Sequence, residues 1–217
     1  KPGGRTPGRE AERGRAVIWM RLSARHGLLA ALAAAFLSIL PMVVRAAPSA
    51  AYVIDARTGE VLYQDNAEAR LHPASLTKMM TLYLTFEAIE RGKISLDTKA
   101  VISSNAAGKP PSRLGLRPGQ KIAFRYLIRA AALRSANDAA TALGELLGGS
   151  EAGFAKLMNA KAKQIGMTNT TFMNPHGWTT TGHLSTARDM TVLGRRLFYD
   201  FPEYYNIFSR RTSDAGI

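Results

Sequence analysis

Between Arg70 and Glu87 the sequence carries one formal charge, Lys78, in a segment that is otherwise almost entirely apolar. Leu76, Met79, Met80, Leu82, Tyr83, Leu84, Phe86 and Ile89 fall on nearly every side of a helix drawn over this run. A helix that is apolar all round is buried rather than lying on a surface. Pro73 pushes the residue before it out of helical geometry, so the helix can begin only after it. The rest of the chain must therefore be organised around a buried helix that takes a lysine into the interior.

That placement suits covalent catalysis. Ser75 stands at the helix N-terminus and Lys78 three residues on, so the two side chains share a face. A serine hydroxyl is a weak nucleophile until a base takes its proton. A lysine can serve as that base when burial or a second cation destabilises its ammonium form. The free N–H groups and positive dipole end of the helix favour negative charge developing beside Ser75. Ser-x-x-Lys alone is common by chance, and its lysine is most often solvated, so the tetrapeptide needs support from elsewhere in the chain.

Composition narrows the field. Cysteine is absent, which excludes disulfides and thiolate zinc sites. His26, His72, His176 and His183 lack the helical i,i+4 spacing of a metal site. The formal charge is +13, and residues 1–47 hold eight Lys/Arg against two Glu, about half of the excess. The remainder is spread along the chain, where it solvates and would favour an anionic polymer or membrane surface. No interleaving of basic and aromatic residues argues for nucleic acid.

In chain order, residues 1–19 are rich in Gly, Arg and Pro and read as disordered, or as an artefact upstream of a natural start at Met20. Residues 20–46 read as a secretory signal peptide: Arg21 and Arg25 form the basic region, Gly27–Val44 the apolar core, and Val44-Arg45-Ala46 the cleavage site. The alternative is an uncleaved anchor, for which the run, interrupted by Pro41, is short. Residues 47–217 then form one domain. Ala51–Gln64 reads as a hairpin turning at Gly59, and the buried helix ends near Gly92. Val101-Ile102 is a short strand and Asn105–Gln120 a loop. Helices follow over Ile122–Leu133, Asp138–Leu147, Glu151–Ile165 capped by Ser150, and Arg188–Tyr199 with Thr186 and Asp189 as a capping box and Pro202 closing it.

Ser135-Ala136-Asn137 lies in the break between two of these helices. A serine there could relay a proton between Lys78 and a leaving group. An asparagine offers both donor and acceptor, suited to reading a peptide bond or orienting Lys78. Helix capping explains both residues equally well on their own. Together, however, Ser75-x-x-Lys78 and Ser135-x-Asn137 form the pattern of penicillin-binding proteins and class A β-lactamases.

From Ala50 to Ile217 the chain resembles the low-molecular-mass penicillin-binding proteins that are serine-type D-alanyl-D-alanine carboxypeptidases, peptidase family S11. The matching segments are Tyr52–Gly59, His72–Thr81, Leu116-Arg117-Pro118-Gly119, Ser135–Ala140, Asn174-Pro175-His176-Gly177 and Ser185–Asp189. The resemblance implies an α/β (α+β) transpeptidase-like domain, with an antiparallel sheet packed by helices and a mainly helical subdomain. It implies Ser75 as nucleophile, Lys78 as general base, Ser135 as proton shuttle and Asn137 as holder of the substrate amide. The substrate would be the D-Ala-D-Ala end of peptidoglycan stem peptides, with β-lactams acylating Ser75 as inhibitors. No metal or organic cofactor is implied. The expected location is the periplasm or outer face of a bacterial cytoplasmic membrane, with a membrane-peripheral position through a C-terminal anchor.

One departure stands out. The family carries a third motif, Lys-Thr-Gly, on a strand opposite the nucleophile, and neither it nor Lys-Ser-Gly occurs in this sequence. The chain is therefore expected to be a C-terminally truncated fragment, inactive by itself, with most of the sheet missing and Met79, Met80, Leu82 and Phe86 partly exposed. A class A-like β-lactamase is the nearest alternative, but it needs a glutamate four residues before a loop asparagine, and Thr170 stands four before Asn174. A non-catalytic peptidoglycan-binding protein is the other, though it has no need of all four polar residues.

Overall fold

The computed structural model describes residues 48–212. The expected signal peptide and the stretch before it lie outside the described residues. Strands β1 (Ala51–Ile54) and β2 (Val61–Asp65) pair antiparallel, Ala51 opposite Asp65 and Val53 opposite Tyr63. Asp55 closes their turn by accepting from the N–H groups of Arg57 and Thr58 at 2.8 and 2.7 Å. A 3-10 turn, Ala74–Leu76, leads into helix α1 (Thr77–Glu90). Then come β3 (Lys99–Val101), α2 (Ser104–Ala107), β4 (Lys121–Ala123), α3 (Phe124–Leu133), α4 (Asn137–Gly148), α5 (Glu151–Gln164), α6 (Ala187–Asp200) and α7 (Pro202–Tyr205).

The expected caps are in place. Ser150 Oγ accepts from Gly153 N and Thr186 Oγ1 from Asp189 N, each at 3.0 Å. Three boundaries differ from the sequence reading. Lys121–Ala123 is not the start of a helix but a strand, with Ile122 opposite Ala100 of β3. Ile122 is apolar and fits either period, so the pattern alone could not separate the two. Within the expected loop 105–120, Ser103 caps α2 by accepting from Ala106 N. Pro202 does not merely end α6: it opens α7, where its missing N–H costs nothing.

Helix α1 is the core element, packed against α3, α4, α5 and α6. This explains its lack of a polar face. Met80, Leu82, Tyr83 and Phe86 are all buried, and the Phe86 ring stacks on Tyr204, centroids 4.7 Å apart. The expected partial exposure of Met80, Leu82 and Phe86 is therefore overturned, because helices rather than a sheet cover them. Four of the exposed large apolar side chains lie on the hairpin: Val53, Val61, Leu62 and Tyr63. The fold is mixed α+β, as expected, but its sheet component among the described residues is two separate two-stranded antiparallel ladders. No helix among these residues is long and apolar enough to cross a membrane.

Candidate active site

The segment Pro73–Leu76 places Ser75 at the surface, just ahead of the buried helix. Ala74 has φ +47°, a left-handed conformation that disfavours any residue with a Cβ. Ser75 lies in the 3-10 turn rather than in α1 itself. Lys78, three positions on, is the second residue of α1.

Lys78 is 3% exposed. Its Nζ donates to the backbone carbonyl of His176 at 2.6 Å, and no carboxylate pairs with it among the described residues. Burial alone pulls the ammonium down from its usual 10.5 to about 8. Near neutral pH a useful fraction of this amine is thus uncharged and able to accept a proton.

Ser135 sits between α3 and α4 at φ +51°. Its Oγ donates to Ser75 Oγ at 2.8 Å. Asn137, 7% exposed, opens α4. Its Nδ2 donates to the carbonyls of Pro110 and Pro111 at 3.0 and 3.2 Å, and its N–H to Ser112 O at 2.7 Å. Both donors of Asn137 therefore fix the 110–112 segment, and the hydrogen bond of Lys78 goes to His176 rather than to Asn137. The structure thus brings Ser75 and Ser135 into direct contact, with Lys78 and Asn137 each held by a neighbouring loop.

The loop under the turn that carries Ser75 is Asn174–Gly177. Asn174 Oδ1 accepts from Gly177 N at 2.7 Å, and Thr81 Oγ1 donates to Pro175 O at 2.6 Å. Gly177 has φ +89°, and a Cβ there would lie 1.8 Å from Ala74 O. Only glycine lets this loop back directly onto the turn that carries Ser75. Thr77, Thr81 and Thr85 form an i, i+4, i+8 row on α1. Thr77 Oγ1 meets His183 Nε2 at 2.8 Å, while His183 Nδ1 accepts from Met173 N at 2.9 Å. That pairing puts the His183 proton on Nε2. Burial first, then the His176 and His72 charges, push the His183 pKa down to about 4.

Sequence reasoning missed His183, Thr77, Thr81, Asp138 and Glu151, and it gave His176 no role. Asp138, fully buried, accepts from the N–H groups of Leu114, Gly115 and Leu116 at 2.9–3.1 Å, holding the loop beside Asn137. The threonine row in an apolar helix was the one available signal. Thr170, the position tested for a β-lactamase glutamate, is bonded to Ser185 Oγ and Asp189 Oδ2, both at 2.7 Å.

Residues 41–215 match the family model of D-alanyl-D-alanine carboxypeptidase, peptidase S11. The D-alanyl-D-alanine carboxypeptidase DacF of Bacillus subtilis is 43% identical over 147 residues, 68% of this chain and 38% of that protein. Among solved structures, the D-alanyl-D-alanine carboxypeptidase DacD of Francisella tularensis aligns with a TM-score of 0.72 at 39% identity, covering 81% of this chain and 44% of its own. Penicillin-binding protein D2 of Listeria monocytogenes, in its ampicillin-bound form, aligns with a TM-score of 0.65 at 34% identity, covering 82% of this chain and 72% of its own. The chain spans well under two thirds of the length of the first two of these relatives.

Proposed function

Because this chain belongs to the D-alanyl-D-alanine carboxypeptidases of peptidase family S11, we propose that the full-length protein removes the terminal D-alanine from D-Ala-D-Ala ends of peptidoglycan stem peptides through an acyl-enzyme on Ser75. The observation that carries this reading is the 2.8 Å contact between Ser135 Oγ and Ser75 Oγ, with Lys78, three residues after Ser75 in the chain, held buried so that its ammonium is destabilised.

In the proposed reaction, neutral Lys78 takes the Ser75 proton as Oγ attacks the carbonyl of the penultimate D-alanine. The Ser75 N–H, at the helix entrance, supports the developing oxyanion. Ser135 passes a proton to the departing amine of the terminal D-alanine, and the C–N bond breaks. Water, deprotonated along the same path, then cleaves the ester and restores Ser75. Asn137 Oδ1 serves as acceptor for a substrate N–H, its Nδ2 being engaged by Pro110 and Pro111. A β-lactam presents the same acyl carbonyl in a strained ring, so penicillin acylates Ser75 covalently. The protein works in the periplasm, at the outer face of the cytoplasmic membrane, where that substrate lies.

The bonding of Thr170 to Ser185 and Asp189 leaves the β-lactamase alternative without its water-activating group. A binding-only role has no use for a lysine buried without a carboxylate partner among the described residues, or for a paired Ser75–Ser135 hydroxyl contact. The test is mass spectrometry of the full-length protein after a fluorescent penicillin, together with D-alanine release from a D-Ala-D-Ala peptide. The adduct is expected on the peptide containing Ser75, and an adduct that persists in Ser75→Ala would refute the assignment.

A further inference from the structure

Glu151, the first residue of α5, lies outside the machinery described above yet touches both loops that hold it. Its Oε2 is 3.4 Å from His176 Nε2. Its Oε1 accepts from Asn105 Nδ2 at 2.7 Å and from the Lys109 ammonium. His176 Nδ1 accepts from Trp178 N at 3.1 Å, which leaves the ring proton on Nε2, facing the carboxylate. The backbone oxygen of this same His176 is the acceptor for Lys78. On the other side, Lys109 immediately precedes Pro110 and Pro111, whose carbonyls hold Asn137.

We propose that Glu151 is a positioning residue for acyl transfer: its carboxylate ties the loop that holds Lys78 to the segment that holds Asn137, and so fixes the spacing between the base and the substrate-amide group. The inference rests on the Ser75 reaction proposed above. A simpler role for an acid in the first turn of a helix is to complement the dipole. That role is served by an exposed glutamate and asks for no donors, and the N-cap here is already supplied by Ser150. Glu151 instead gathers His176 from the 174–177 loop, Asn105 from α2 and Lys109 from the segment just after α2, with its side chain about four-fifths covered. Burial alone would raise its carboxyl, but the hydrogen bonds from His176, Asn105 and Lys109 outweigh that and hold it at about 2. The strut therefore stays charged wherever the enzyme works. Asn105 extends it to Glu145 at 2.7 Å, which anchors the cluster to α4.

The two arms predict separable effects. The His176 arm acts on Lys78, and so on the rate constant of acylation. The Lys109 arm acts on Asn137, and so on binding before acylation. Stopped-flow acylation of the full-length protein by a fluorescent penicillin resolves the two. Displacing a reacting group by about 1 Å can cost about a hundredfold in rate, so Glu151→Ala is expected to lower the acylation rate constant by about 10- to 100-fold and to weaken binding as well. Lys109→Met is expected to weaken binding while leaving the acylation rate constant within about twofold, and Glu151→Gln, which keeps one acceptor oxygen, should fall between wild type and Glu151→Ala. Rates are referred to the folded fraction measured by circular dichroism. A folded Glu151→Ala with both constants unchanged overturns the proposal. Should Glu151→Ala not fold, Lys109→Met and Glu151→Gln decide: no effect in either, or equal loss of both constants in Lys109→Met, overturns it. A wild-type protein that takes no adduct on Ser75 overturns the acyl-enzyme reading instead.

Discussion

Ser135 Oγ lies 2.8 Å from Ser75 Oγ, although 60 residues separate them in the chain. Both hydroxyls hang from constrained backbone: Ser135 is itself at φ +51°, and Ala74, next to Ser75, is at φ +47°. The contact is thus built by two independent left-handed turns, one at the entrance to α1 and one between α3 and α4. If Ser135 relays the proton, Ser135→Ala should cut the acylation rate of the full-length protein by about 100-fold or more, the usual scale for losing a positioned acid–base group. Ser75→Ala should take no label at all. Equal labelling of wild type and Ser135→Ala would remove the relay.

If Lys78 is the general base, it sets the pH dependence: the neutral amine is then the acylating form, so the rate should rise with pH and level off above the pKa. With burial holding that value at about 8, the acid limb should centre near pH 8, or lower where a second cation adds to the burial. Lys78→Arg keeps the charge but cannot release the proton, so acylation should vanish across this range. A pH–rate profile of both proteins checks this, and a flat wild-type profile from pH 6 to 9 would contradict it.

Gly177→Ala should be far more harmful than a single methyl suggests. The new Cβ would sit 1.8 Å from Ala74 O, and φ is +89°. A left-handed residue with a Cβ already costs about 1–2 kcal/mol, and the clash adds to it, so a loss above about 2 kcal/mol is expected. Because the neighbour that must move carries Ser75, penicillin labelling should fall together with the urea midpoint. A variant with wild-type midpoint and labelling would show that the loop does not bear on the turn.

His183 should make stability acid-sensitive. Its folded pKa, about 4, lies below the ordinary value of 6.5, so the unfolded chain binds more protons between those limits. Stability is therefore complete above about pH 6.5 and declines as pH falls toward 4, by on the order of 3 kcal/mol in all. Urea unfolding at pH 4.5, 5.5 and 6.5 measures it. His183→Gln, which can still donate to Thr77, should flatten the slope in this window.

The hairpin predicts self-association of the 217-residue chain. Val53, Val61, Leu62 and Tyr63 are all at least 45% exposed on a ladder that pairs with no third strand among the described residues. Exposed apolar strands with unpaired backbone groups template pairing between chains. Leu62→Lys with Tyr63→Lys should shift the sedimentation profile of residues 48–217 toward monomer. An unchanged profile would place the association elsewhere.

The core helix was legible because its signal is long: the run between Arg70 and Glu87 carries one charge, and Pro73 ahead of the helix sets where it can begin, which leaves few alternatives. The same run announced a buried Lys78, and the break at Ser135-Ala136-Asn137 announced polar side chains outside helix packing, of which Ser135 is half-buried and Asn137 is buried. What stayed hidden depends on contacts distant in sequence. Nothing local marks Ile122 as a strand residue, since its partner Ala100 is 22 positions away. His183 sits in a loop without periodicity, and its burial comes from packing against α1. Glu151 read only as the start of a helix, because its donors lie far off in the chain: Asn105 on α2, Lys109 just after it, and His176 on its loop. The left-handed turn at Ala74 carries no glycine to betray it.

The acceptor for Lys78 is a main-chain atom, the carbonyl oxygen of His176. No codon change at position 176 can delete it. Point substitutions there can tilt the peptide plane, but the oxygen remains, so Lys78 is buffered against single-nucleotide drift at its own partner. Insertions and deletions have no such protection. Removing one residue between Asn174 and Trp178 would carry a different carbonyl to the amine and break the Asn174–Gly177 closure at the same time. Length, rather than identity, is the property of this loop on which selection should act most strictly.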